Sequence, residues 1–127
     1  MASATRLLDS AHDVDGARVV AGQVSGADRD ALKVLALDLR NRIGTGIVVL
    51  GTPTPDGKAL LITVLTNDLV ERGITARDVL QPGAQLVGGG AGGKGDVAQA
   101  GGKDGTRIAE ALEAARHEAV ARLHAGG

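Results

Sequence analysis

Residues 46–65 read GIVVLGTPTPDGKALLITVL. Two apolar runs, 46–52 and the one that starts at Lys58, stand on either side of a Pro-Asp-Gly turn, which is the composition of a β-hairpin. Neither run alternates apolar with polar residues, so neither strand has a face to give to water. A hairpin of that kind belongs in the middle of a sheet covered on both sides.

Upstream, GARVVAGQV at 16–24 sets valines between glycines and reads as another strand. Between it and the hairpin, SGADRDALKVLALDLRNRIGTG places Leu32, Leu35, Ala36, Leu39 and Ile43 at helical spacing. Ser25 is positioned to cap this helix, with the acidic Asp28 three residues on, and Gly44 to stop it. From Asn67, NDLVERGITARDVLQPGAQLV reads as a broken helical stretch, interrupted at Gly73 and at a Gln81-Pro82-Gly83 turn. After a glycine-rich loop, Ile108, Leu112, Ala115, Ala119 and Leu123 mark a last amphipathic helix, capped by Asp104 or Thr106. The order β, α, β, β, α, glycine loop, α predicts a single-domain α/β sandwich, a mixed sheet flanked by helices, over residues 16–125. Residues 1–15 read as a lead-in, the end of a preceding helical or linker region, and the abrupt MASATRLLDSAHDVDG start as a cut from a longer chain.

The 127 residues are 43% hydrophobic without one aromatic ring, so a modest core must be built from Leu, Val, Ile and Ala. Lys and Arg number 14 against 15 Asp and Glu, a net charge of -1. No bulk field draws this chain to polyanions, and any nucleic-acid contact has to be local and geometric. A general single-strand binder is disfavoured for want of stacking rings. The absence of cysteine removes disulfides and thiolate zinc sites. With no long apolar run and no signal-peptide core, the expected location is the cytoplasm, with no membrane partner. His117 and His124 lie seven residues apart on one helix, about 10 Å of rise, too far to share a metal, and with His12 they are expected in solvent. Glu110, Glu113 and Glu118 alternate with Arg107, Arg116 and Arg122 as a solvated outer face.

The stretch GGGAGGKGDVAQAGGKDG, 88–105, holds nine glycines in eighteen residues. Glycines let a backbone come close to something and let several N–H groups converge on one acceptor, while Lys94 adds a charge and Gln99 an amide. Phosphate oxygens or the polar edges of folded RNA suit that equipment. The spacing fits neither a Walker loop nor a dinucleotide loop. The alternative is a tight strand crossing in the sheet that binds nothing.

In GGGAGGKGDVAQAGG the run Lys94, Asp96, Val97, Ala98, Gln99, Ala100, Gly101 and Gly102 resembles, in register, the glycine-rich signature of the C-terminal domain of alanyl-tRNA synthetase. The upstream stretch from Asp30 to Leu80 is similar to the family's helix, strand, hairpin and broken helix, so the resemblance spans roughly residues 16–115. The sequence departs from that signature at Gly90, Ala91 and Gly95. The resemblance implies the fold shared with the C-terminal domain of DHH phosphoesterases. It also implies a noncatalytic module that contacts the tRNA elbow and helps link aminoacylation with editing.

On that resemblance the partners are tRNA, alanine-specific, the catalytic and editing domains of the same synthetase, and a second copy in a homodimer. ATP, magnesium and zinc belong to the full-length synthetase, with no cofactor in this chain and no enzyme activity of its own. The RNA-contacting residues are then Gly88, Gly89, Gly90, Gly92, Gly93, Lys94, Asp96, Gln99, Gly101, Gly102 and Lys103. In these roles the glycine amides approach RNA, Lys94 meets phosphate, and Asp96 and Gln99 hold the loop or hydrogen-bond. Lys58, Arg72 and Arg77 are further contributors by sign and proximity to loops. Two other readings stand beside this one: an oligomerisation domain with a purely structural glycine loop, and the substrate-binding half of a DHH-type phosphoesterase. The second lacks the Asp-His-His triplet and the loop histidine that its chemistry needs.

Overall fold

The computed structural model describes residues 4–126, with the side chains of residues 4, 5, 94 and 126 outside the description. Strands β3 (Gly46–Pro53) and β4 (Ala59–Leu65) form the expected antiparallel hairpin, with Ile47 opposite Leu65 and Pro53 opposite Ala59. Both are buried nearly from end to end, as their unbroken apolar runs require. Gly57, at φ 82°, supplies the left-handed turn residue.

Six strands make one mixed sheet in the order β1-β2-β3-β4-β6-β5. Here β1 is His12–Val14, β2 Ala17–Gln23, β5 Gly90–Lys94 and β6 Val97–Gly102. Only β2 and β3 run parallel, and the helix α2 (Arg29–Ile43) crosses between them. The 1–15 segment is helical at α1 (Ala4–Asp9) and then supplies β1 as an edge strand on β2. The sequence pattern did not reveal β1, because His-Asp-Val is short, polar and exposed, and only pairing makes it a strand.

Each sheet face has its own core. Leu32, Ala36, Leu39 and Ile43 of α2 join Val20, Val48, Leu50, Ile62 and Val64 on one side. On the other, α4 (Ala76–Leu86) and α5 (Ile108–Gly126) cover Val19, Ile47, Val49, Leu61 and Leu65, and the stripe Ile108, Leu112, Ala115, Ala119 and Leu123 is buried as its spacing predicts. The outer face of α5 pairs Arg107 with Glu110, Arg116 with Glu113 and Arg122 with Glu118.

Three details differ from the sequence reading. Asp28, not Ser25, caps α2: its carboxylate accepts from the Ala31 N–H at 2.8 Å, three residues in, where an N-cap acceptor must sit. The residues 81–83 are not a turn. After the short helix α3 (Asn67–Glu71), broken from α4 at Gly73 as expected, α4 runs through Pro82, because Val79, Leu80 and Ala84 bury on the same face and outweigh one lost N–H. Gly83 lies against α5, where a Cβ would stand 2.5 Å from the Ala111 carbonyl oxygen. Finally, the glycine loop is a β-hairpin, β5 with β6, from Gly90 opposite Gly101 to Lys94 opposite Val97. Its inward amides pair across the β5–β6 ladder, and amides spread along a strand do not converge on one acceptor.

Two stability outcomes follow. In an exposed helix Gly→Ala stabilises by roughly 1 kcal/mol, but Gly83→Ala is expected to destabilise by about 1 kcal/mol or more, as overpacking against α5 outweighs propensity. Urea unfolding reads the sign. The Thr63 hydroxyl is fully buried without a hydrogen-bond partner among the described residues, so Thr63→Val, which keeps the shape, is expected to stabilise by about 1 kcal/mol; a loss in the same assay would mean the hydroxyl is satisfied.

Candidate nucleic-acid interface

The glycines of the hairpin divide by what surrounds them. A Cβ on Gly89 would stand 2.0 Å from the Gly101 carbonyl oxygen, on Gly93 2.3 Å from that of Val97, and on Gly102 2.3 Å from that of Val87. Those three let backbone pack on backbone. A Cβ on Gly90 or Gly92 would meet nothing within 4 Å, and on Gly101 only the Ala59 carbonyl oxygen at 4.0 Å.

Strand alternation explains the division. Ala91, Ala98 and Ala100 point into the core under α4 and α5, so Gly90, Gly92, Gln99 and Gly101 share the opposite face. There α2 covers β3 and β4, while Gly90, Gly92 and Gly101 of the hairpin are exposed. The result is a strip of bare peptide backbone interrupted by the half-buried Gln99.

The strip is held rigidly. At the turn, the Gly95 carbonyl accepts from Ala76 N–H and the Asp96 carbonyl from Leu65 N–H, both at 2.8 Å. The Asp96 carboxylate takes Arg40 Nη1 of α2 at 2.9 Å. On the outer edge, the Ala91 N–H donates to Gln81 Oε1 at 3.0 Å, which satisfies one amide that the edge strand β5 would otherwise leave unpaired. Asp96 thus anchors the hairpin to α2, with its carboxylate already engaged.

At the base of the hairpin a cleft of about 400 Å3 opens, lined by Arg29, Lys58, Lys103, Asp56, Gly101 and Gly102, among others. Arg29 borders a second, small crevice with Gln99 and Leu60. The basic side chains of α2 therefore stand at both ends of the glycine strip, Arg29 by the cleft and Arg40 by the turn. Asp56 accepts a hydrogen bond from the Thr54 hydroxyl, which together with Lys58 holds its carboxyl below the usual range.

Of the residues expected from sequence, the structure gathers Gly90, Gly92, Gln99 and Gly101 on one open face and Gly88, Lys58 and Lys103 around the adjoining cleft. Gly89 and Gly93 are packed on neighbouring backbone, and Gly102 lines the cleft by its main chain. Lys94 falls on β5, its side chain outside the described residues. Arg72 and Arg77 are exposed but belong to the opposite end, near Ala76 and the hairpin turn. His12, His117 and His124 are exposed, and among the described residues no three His, Asp or Glu side chains are grouped to hold a metal. Nor is any helix among those residues long and apolar enough to cross a membrane.

Sequence reasoning missed Arg29. The available signal was its position as the first residue of α2, where the helix dipole disfavours a cation.

The family model described as the DHHA1 domain matches residues 16–121. Alanine–tRNA ligase of Pelotomaculum thermopropionicum is 43% identical over 107 residues, 84% of this chain and 12% of that protein. Alanine–tRNA ligase of Anaeromyxobacter dehalogenans is 50% identical over 103 residues, 81% of this chain and 11% of that protein. The chain thus spans about an eighth or less of these relatives' length. The crystal structure of the C-Ala domain from Aquifex aeolicus alanyl-tRNA synthetase superposes with a TM-score of 0.77 at 22% identity, covering 87% of this chain and 98% of that one. That likeness bears on the fold, a mixed sheet flanked by helices.

The two kinds of glycine are separable by substitution. Gly93→Ala, at φ 148° with no room for a Cβ, is expected to cost about 2 kcal/mol or more. Gly92→Ala is expected to change stability by less than about 0.5 kcal/mol. Thermal unfolding of the pair, with amide exchange at Ala98 and Ala100, checks this, and equal losses would show that the face at Gly92 is not open.

Proposed function

The chain belongs to the DHHA1 domain family, and we propose that it is the tRNA-binding accessory domain of an alanine–tRNA ligase, contacting the outer corner of folded tRNA and helping to link aminoacylation with editing. The observation that carries this reading is the rigid strip of exposed backbone at Gly90, Gly92 and Gly101. Flat peptide planes without side chains admit the flat outermost base pair of a folded RNA to van der Waals contact, a contact that tolerates any base. Gln99 offers both donors and an acceptor to base or ribose edges, as RNA recognition by shape and 2′-hydroxyl requires. Lys94, at the turn end of β5, is the residue we assign to phosphate, with Lys103 at the opposite end of the hairpin as a further contact.

The partners under this reading are tRNA specific for alanine, the catalytic and editing domains of the synthetase, and a second copy of the chain, all in the cytoplasm. The chain's role is noncatalytic. ATP, magnesium and zinc, which a whole synthetase uses, would on this reading be held by its other domains.

The test is a titration of labelled, folded tRNA with this chain at two salt concentrations, beside the same tRNA with its D-loop to T-loop contact broken. Binding is expected to require the intact corner and to weaken with Lys94→Ala. Gly92→Val, which puts a branched side chain on the open face and holds the RNA off the backbone, is expected to weaken it about tenfold, or about 1.4 kcal/mol. Equal affinity for both RNAs would sink the reading. A mass that rises with concentration, without RNA affinity, would favour an oligomerisation domain.

A further inference from the structure

Resting on the reading of the chain as an RNA-binding domain, we propose that the cleft at the base of the glycine hairpin is a distinct phosphate-holding subsite. In it, Arg29, Lys58 and Lys103 take backbone phosphates of the strand that lies across the glycine strip.

These three cations come from three separate places in the chain: the first residue of α2, the end of the β3–β4 turn, and the residue after β6. Only the tertiary fold brings them onto one cavity. Among the described residues, Arg29 and Lys103 have no ion-pair partner. Stability does not explain Arg29, because the α2 dipole opposes a cation in its first turn. A bound anion there would offset that repulsion.

Asp30, which follows Arg29 in the first turn of α2, does not line the cleft, and two other neighbouring acids are occupied elsewhere. The Asp28 carboxylate caps α2 through Ala31 N–H, and that of Asp104 accepts from Thr106 N–H at 2.9 Å. Neither lines the cleft, so Asp56 stands as one carboxylate against three cations. Asp56 is itself paired, with the Thr54 hydroxyl and with Lys58 Nζ at 3.7 Å. The wall formed by Gly101 and Gly102 has no side chain to hold an anion away from the cations. The volume, about 400 Å3, lies in the range of small-ligand sites, and Gly101 of the glycine strip forms part of its wall. Phosphates taken there would set the register of an RNA whose base pair rests on the strip, since phosphate contacts position and carry no sequence information.

Two measurements on the same proteins test this. The first is the salt dependence of tRNA binding by wild type, by the triple variant Arg29→Ala/Lys58→Ala/Lys103→Ala, and by Arg116→Ala on the far side of the sheet. All three cleft cations are exposed, so the fold is expected to survive. Each lost phosphate contact lowers the slope of log K against log salt by roughly 0.7 to 0.9. The triple variant is therefore expected to lose about 2 in slope, and Arg116→Ala nothing. The second is a titration with pyrophosphate followed by amide chemical shifts, expected to move Lys58, Gly101, Gly102 and Lys103 in wild type and not in the triple variant.

If tRNA binds wild type and the triple variant keeps the slope, the cleft proposal is overturned and the tRNA reading stands. If no tRNA binds but pyrophosphate moves the cleft amides in wild type alone, the anion subsite stands and the tRNA reading fails. If pyrophosphate moves none of those amides, or moves the α5 amides equally, the subsite is overturned.

Discussion

The fold rests on the central hairpin, β3 with β4, whose two faces are both closed to water by side chains no larger than leucine. With no aromatic ring in the chain, no single residue spans the gap between sheet and helices. The layers must instead approach until small groups meet. Glycine stands where the approach is closest. Gly51 in β3 leaves room for Ile108 and Leu112 of α5, Gly83 lets α4 lie on the α5 backbone, and Gly22 seats Leu7 of α1. Part of the glycine content, 20 of 127 residues, serves this close approach, and another part supplies the turns at positive φ.

That same small-residue chemistry produces the candidate interface. In β5 and β6 the positions facing α4 and α5 need alanine or glycine for close packing, but on the opposite face α2 reaches only Val97 and Gln99 and leaves the other positions without a helix over them. A typical sheet would cover them with polar side chains. Here Gly90, Gly92 and Gly101 leave the backbone bare, beside the cationic ends of α2. An exposed glycine in a strand weakens it, and nothing in the packing asks for these three. Their presence is best understood through a ligand that needs the backbone itself.

The charge distribution has a matching asymmetry. A net charge of -1 conceals an α5 face whose arginines are each neutralised by a glutamate within one helical turn. Surface pairs of that kind add little stability, but they leave no field on that side. Arg29 and Lys103, lacking such partners, stand with Lys58 around one cleft on the other side. Sorting the cations by their partners, and not by their total, makes the proposed phosphate contact compatible with a slightly acidic chain.

By itself the sequence determined the elements that local pattern governs. The buried hairpin, the helix of Leu32, Ala36, Leu39 and Ile43 and the stripe on α5 follow from hydrophobic period, and the Gly44 stop from backbone conformation. It also marked the glycine stretch as a place where backbone must come close to something, and through its signature the family. The sequence did not determine what each glycine approaches. Gly92 and Gly93 are adjacent and chemically identical, yet a Cβ on one would face open space and on the other the Val97 carbonyl, because Gly93 at φ 148° turns that direction into the paired strand β6. Nor did it single out Arg29, whose nearness to Lys58 and Lys103 arises from the β2-α2-β3 crossover and the β4–β6 pairing. Pro82 makes the converse point: its local rule favours a turn, and burial of the residues around it keeps the helix. Local chemistry names the elements, and long-range packing decides which atoms are left exposed to meet a partner.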